Sequence, residues 1–179
     1  MKEIIYNYDL LEENEINNIV ERVKALIINS KGEILLGYAD KTYQFVGGHV
    51  EANEKLMDAL AREVKEESGI ILNELDLIPF FRVKYYNRNY PKKDVNTLTI
   101  NNYYVIRTDL KPDTSKMELT DYEKEWGYTV KYISKEKALA VLKDSLKDAK
   151  KKNPVLDTIE AVSEFLKQET EDTRRDEWR

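Results

Sequence analysis

The chain of 179 residues has no cysteine and a single histidine, His49. The first absence excludes disulfides, thiolate metal sites and a cysteine nucleophile together. The second means that a histidine-rich metal centre or a Ser/His/Asp triad would rest on one side chain. Basic charge is not in surplus either: 29 lysines and arginines face 34 acidic residues, a net charge of −5. There is thus no general electrostatic case for a nucleic-acid or anionic membrane partner, and an anionic substrate must be handled locally. No apolar run approaches membrane-spanning length. The opening "MKEIIYNYDLLEENE" turns acidic before the apolar core of a signal peptide can form. A soluble, cytoplasmic protein is the expectation.

With six glycines and four prolines, and no repeat or low-complexity block, nothing divides the chain. Hydrophobic residues make up 41% of it, enough to enclose a core. One domain over residues 1–167 is expected, with a charged tail at 168–179. "RVKALIIN" and "EILLGYA" read as strands joined through Ser30, Lys31 and Gly32 in a hairpin. "YQFVGGHVE" extends into a double glycine, where backbone can approach another group closely. "LDLIPFFRVKYYN", "TLTINNYYVIRT" and "YTVKYIS" are further strand candidates. Leu139, Leu142, Leu146 and Ala149, then Val155, Ile159, Val162 and Leu166, recur at helical spacing and predict helices over about 135–151 and 154–167. Asn153 followed by Pro154 suits a helix start. Amphipathic helices there offer a surface on which a homodimer could form. The order of elements implies an α/β fold, a mixed sheet flanked by helices.

Between the double glycine and the fourth strand candidate lies a helix predicted over about 54–68. Asn53 stands where an N-cap is expected and Gly69 where a stop is expected. Leu56, Leu60 and Val64 form its buried stripe. Glu63, Glu66 and Glu67 stand at i, i+3 and i+4 and converge over one patch. Such like-charge pairs destabilise a helix by a few tenths of a kcal/mol each, and the macrodipole disfavours anions near a C-terminus. A divalent cation would relieve the conflict, since hard cations take several carboxylate oxygens. A solvated acidic face is the plainer alternative.

The surrounding residues separate these readings. Gly48, Glu54, then Arg62-Glu63-Val64-Lys65-Glu66-Glu67-Ser68-Gly69-Ile70 resembles, without a gap, the signature of the Nudix hydrolase family. All seven fixed residues and both aliphatic positions are filled, a coincidence on the order of one in 10^5 or rarer for a chain of average composition. Where the family usually has proline before the double glycine, this chain has Val46. The resemblance implies the family's α/β/α sandwich and a magnesium- or manganese-dependent hydrolysis of a nucleoside diphosphate linked to another group. It implies that Glu63, Glu66 and Glu67, with the Gly47 carbonyl, bind metal, and that Arg62 and Glu54 brace the loop against the helix.

Many relatives recruit a further glutamate as general base from a loop outside the signature. Here "LTDYEKEWGYTVKY" supplies Glu123 and Glu125 as candidates. His49 reads as a loop residue rather than a ligand, because carboxylates and carbonyls already suit magnesium. Substrate choice must come from elsewhere. In "FFRVKYYNRNYPKK", Arg82 and Lys84 stand beside Tyr85 and Tyr86, a combination that can hold phosphates and stack a base. Tyr86 falls where relatives acting on dinucleoside polyphosphates carry a tyrosine, which gives a weak preference for such a nucleotide substrate. Nucleotide sugars, oxidised nucleoside triphosphates and a non-catalytic nucleotide-sensing module are the alternatives.

Overall fold

The computed structural model describes residues 1–150 and 152–177, with side chains described through Glu171. Seven strands form one sheet: β1 (Lys2–Tyr6), β2 (Asn18–Ile28), β3 (Glu33–Ala39), β4 (Thr42–Gln44), β5 (Phe81–Asn87), β6 (Thr97–Arg107) and β7 (Thr129–Ser134). The order is β1-β5-β6-β2-β3-β4, with β7 on the other side of β3. β1 with β5 and β2 with β6 run parallel, and the remaining pairs are antiparallel. The sheet is mixed, as expected.

Strand periodicity sends alternate residues of β2 to opposite faces. Val23, Ala25 and Ile27 join Leu35, Leu60, Val64 and Ile70 beneath helix α1 (Leu56–Ser68). Leu26 and Ile28 join Phe81, Leu142, Val155 and Val162 beneath helices α3 (Lys135–Ser145) and α4 (Lys152–Glu177). The two cores make a sandwich of helix, sheet and helices. Among the described residues no helix is long and apolar enough to cross a membrane.

Several boundaries differ from the sequence expectation. Helix α1 starts at Leu56, with Lys55 as its N-cap. Asn53 has φ 66°, a left-handed conformation that asparagine tolerates and that belongs to the turn ahead of the helix. Gly69 ends the helix at φ 70°, and a Cβ there would stand 2.0 Å from the Asp113 carbonyl oxygen. Helix α3 stops at Ser145, short of 151, and α4 continues to Glu177 through most of the stretch expected as a tail. Residues 178–179 lie outside the described ones. Two elements went unforeseen: the edge strand β1, which pairs with β5 over five residues, and the five-residue helix α2 (Asp121–Glu125).

Candidate active site

The loop after β4 is bonded to the middle of β2. Ala25 N–H donates to Val46 at 2.9 Å, Val23 N–H to Gly48 at 3.0 Å and Val50 N–H to Glu21 at 2.9 Å. This close approach explains both glycines. Gly47 adopts φ +130°, and a Cβ on it would lie 2.2 Å from the Val23 carbonyl oxygen. A Cβ on Gly48 would lie 2.4 Å from the Glu63 carboxylate. Val46, which replaces the family's usual proline, is fully buried.

The loop faces the end of α1 across a cavity of about 560 Å³ lined by Gly47, Glu63, Glu66, Glu67, Arg62 and Glu123. Arg62 is the hub of the acidic side chains. Its guanidinium takes Glu54 through two bonds, Nε to Oε1 at 2.8 Å and Nη2 to Oε2 at 2.9 Å, the fork geometry that fixes a carboxylate in direction. It also donates to Glu63 at 2.9 Å, to Glu66 at 3.2 Å and to the His49 carbonyl at 2.9 Å. Arg62 thus holds Glu54 and, at i+4, Glu66 at the same time. Hydrogen bonding to Glu54, the largest influence, raises the guanidinium pKa and keeps it charged.

Glu67 is set deeper and is 7% exposed. Its Oε2 accepts from Gly47 N–H at 2.7 Å and from the Tyr128 hydroxyl at 3.0 Å. Burial pushes this carboxyl up to about 7, opposed by the Lys24 ammonium and the Gly47 N–H. Burial also raises Glu63, against the pull of Arg62. Lys24 sits on β2 on the same face as Leu26 and Ile28, and its Nζ donates to the Gly47 carbonyl and, at 3.4 Å, to that of Phe45. Burial lowers its pKa, opposed by Glu67. Beside it, Arg22 donates to His49 Nε2 at 3.1 Å and 2.9 Å. Burial, then Arg22 and Lys24, lower the His49 pKa, which suits a neutral imidazole as acceptor.

Three carboxylates and a carbonyl are hard oxygen donors of the kind divalent cations take. The Gly47 carbonyl already faces a cation, the Lys24 ammonium. Glu63 and Glu66 are held by Arg62, and Glu67 by Gly47 and Tyr128. Among the described residues no three acidic or histidine side chains are gathered to hold an ion as they stand. The donor set fits a hard divalent cation in kind, and the positive charge that balances it here comes from Arg62 and Lys24.

The outlying candidates divide. Glu123 lines the cavity, and its carboxylate accepts from Thr120 N–H at 2.6 Å and Thr120 Oγ1 at 2.8 Å, closing a capping box on α2. Glu125, two residues on, does not line it. Tyr85 lines an adjoining cavity. Tyr86, Arg82 and Lys84 line neither: alternation along β5 turns them to the opposite face, where Arg82 and Lys84 pair with Glu3 at 3.6 Å and 3.1 Å. The sequence reading passed over Lys24, Arg22 and Tyr128. For Lys24 there was a signal, a lysine between Val23 and Ala25 on the face that continues as Leu26 and Ile28.

A family model, the NUDIX domain, matches residues 19–153. No curated protein matches. Among solved structures, the Escherichia coli dihydroneopterin triphosphate pyrophosphohydrolase is 18% identical, with a TM-score of 0.53 over 81% of this chain and 93% of that one. MutT from Methanosarcina mazei is 23% identical, with a TM-score of 0.46 over 73% and 92%. The MutT NUDIX hydrolase from Burkholderia pseudomallei is 17% identical, with a TM-score of 0.48 over 67% and 86%. At these identities the likeness concerns the fold. The domain match spans most of the chain and includes the whole glutamate helix with its glycine loop, and on that ground the chain belongs to the Nudix hydrolase family.

Proposed function

We propose that the protein hydrolyses a phosphoanhydride bond of a nucleoside diphosphate linked to a further group, with magnesium or manganese as cofactor. The observation that carries this reading is the convergence of Glu63, Glu66, Glu67 and Gly47 on one cavity, with Lys24 and Arg22 beside them. The three carboxylates and the Gly47 carbonyl would hold the cation. When bound, it supplies Lewis-acid stabilisation of charge on the phosphate and a more acidic water. Arg62 orients Glu54, Glu63 and Glu66. Tyr128 and the Gly47 N–H fix one oxygen of Glu67, leaving the other free to bind. Lys24 and Arg22 line both cavities and are placed to attract the substrate's phosphates. Glu123 is the general-base candidate that the geometry favours over Glu125, because only Glu123 reaches the cavity.

The preference for dinucleoside polyphosphates rested on Tyr86, which lines neither cavity, so the geometry adds nothing to it. The reading is tested by incubating the protein and magnesium with a panel of nucleoside diphosphate derivatives and nucleoside triphosphates, products being identified by mass. Release of a nucleoside monophosphate from at least one compound, abolished by chelation, is expected. No cleavage anywhere in the panel would favour a nucleotide-sensing module.

A further inference from the structure

Arg22 and His49 each line both cavities and so stand at their junction. The backbone brings them together. Val23 N–H donates to the Gly48 carbonyl at 3.0 Å and Val50 N–H to that of Glu21 at 2.9 Å. Arg22 on β2 and His49 in the glycine loop are thereby directly opposed in an antiparallel bridge, and opposed residues send their side chains to the same face. The His49 carbonyl is held in turn by Arg62 Nη2 at 2.9 Å, which ties it to the side chain that gathers Glu54, Glu63 and Glu66.

The side-chain contact has one chemical reading. A guanidinium only donates, so Arg22 Nε at 3.1 Å and Nη2 at 2.9 Å both need the lone pair of His49 Nε2. A ring that accepts at Nε2 is neutral and carries its hydrogen on Nδ1. Two of the five N–H groups of the guanidinium are so engaged, and three remain. Among the described residues the guanidinium makes no other hydrogen bond and no ion pair. Arg62 is the contrast: three carboxylates surround it and offset its charge. A neutral imidazole fixes the plane of the Arg22 fork and leaves its charge whole, which a carboxylate in the same place would not do.

We propose that His49 is a positioning residue, whose Nε2 orients the Arg22 guanidinium so that its three remaining N–H groups meet the substrate's phosphates at the junction of the cavities. His49 itself touches no phosphate and acts through Arg22. This assignment rests on the reading of the site as one for phosphoanhydrides and deepens it.

The test is a double-mutant cycle of His49→Leu and Arg22→Ala. Its readout is calorimetric binding, in millimolar magnesium, of methylene diphosphonate, a pyrophosphate mimic without a cleavable anhydride. Arg22→Ala should weaken binding by about ten- to a hundredfold, the range of hydrogen bonds to a charged group. His49→Leu leaves the arginine present but unordered, and ordering a long side chain on binding corresponds to roughly two- to tenfold in Kd. The double variant should bind within about twofold of Arg22→Ala alone, because without the guanidinium the imidazole has nothing to orient. His49→Gln, whose Oε1 accepts the same N–H groups, should recover most of the loss. The proposal is overturned by a wild type that does not bind the mimic, by unchanged affinity in either single variant, or by losses that multiply in the double variant. Should His49→Leu not fold, His49→Phe, a ring without an acceptor, takes its place; failure of both makes the contact one of folding and overturns the proposal as well. The cycle needs no hydrolysis. Coupled affinities in a protein that cleaves nothing would overturn the hydrolytic reading alone, and magnesium-dependent turnover with uncoupled affinities would overturn the proposal alone.

Discussion

Glu67 is the side chain in which fold and chemistry oppose each other most directly. It is nearly buried, yet it is ionised in any role as a metal ligand. Its folded pKa of about 7 lies above the unfolded value of roughly 4.3. The folded protein therefore keeps a proton over a range in which the unfolded chain has lost it. The associated stability is complete below the unfolded value and disappears as pH rises through about 7. Glu67→Gln has no such loss and keeps an oxygen for Gly47 and Tyr128. In chelator, the melting temperature of the variant minus that of the wild type should grow as pH is raised through this window. A difference independent of pH would show that Glu67 titrates as an exposed carboxylate. The clash among Glu63, Glu66 and Glu67 was legible in their spacing alone. That the Lys24 ammonium stands close to Glu63 and Glu67 was not, because Lys24 arrives from a strand more than forty positions away from Glu67.

At the scale of elements, the glycine loop and α1 were largely readable, because every contact between them joins residues within one continuous signature. The strand β5 was readable as a strand but not in its facing. Tyr85 and Tyr86 are equivalent by composition, and only the pairing of β5 with β6 and β1 decides which of them looks toward α4. Helix α2 escaped notice for a different reason: five residues are too few for a periodic pattern. Its capping box, Thr120 with Glu123, was visible in retrospect as Thr-x-x-Glu. The same helix separates the two candidate bases, since Glu123 reaches the cavity and Glu125 does not. Glu123→Gln is expected to lower kcat by about 10²-fold or more, within the range of general-base catalysis, and Glu125→Gln by less than about twofold. Equal effects on kcat would place the base elsewhere and leave Glu123 as the helix cap that its contacts with Thr120 already make it.

At the scale of the whole molecule, helices cover both faces of the sheet. Helix α1 covers one face and presents carboxylates at its end, while α3 and α4 cover the other and leave a cavity at the start of α4. The loop carrying Gly47 and Gly48 crosses between them, which is why Lys24 and Arg22 border both cavities. The mixed sheet followed from alternation and turn residues, but β1 did not, because an edge strand with exposed Ile5 and charged neighbours lacks a buried signature. A cation that binds only the folded protein stabilises it by RT ln(1 + [L]/Kd). Millimolar magnesium should therefore raise the melting temperature of the wild type, and by less in Glu67→Gln; an equal rise in both would place the ion away from the glutamate helix.

The claim that these carboxylates hold a metal for phosphoanhydride cleavage is tested most directly by turnover of the best substrate across a magnesium titration, comparing the wild type with Glu66→Gln. The amide preserves the side-chain shape and removes one anionic oxygen donor, so the loss belongs to transition-state stabilisation. A fall of at least about a hundredfold at saturating magnesium, in a variant that melts as the wild type does, is the predicted result. Turnover within a few-fold of the wild type would contradict the account.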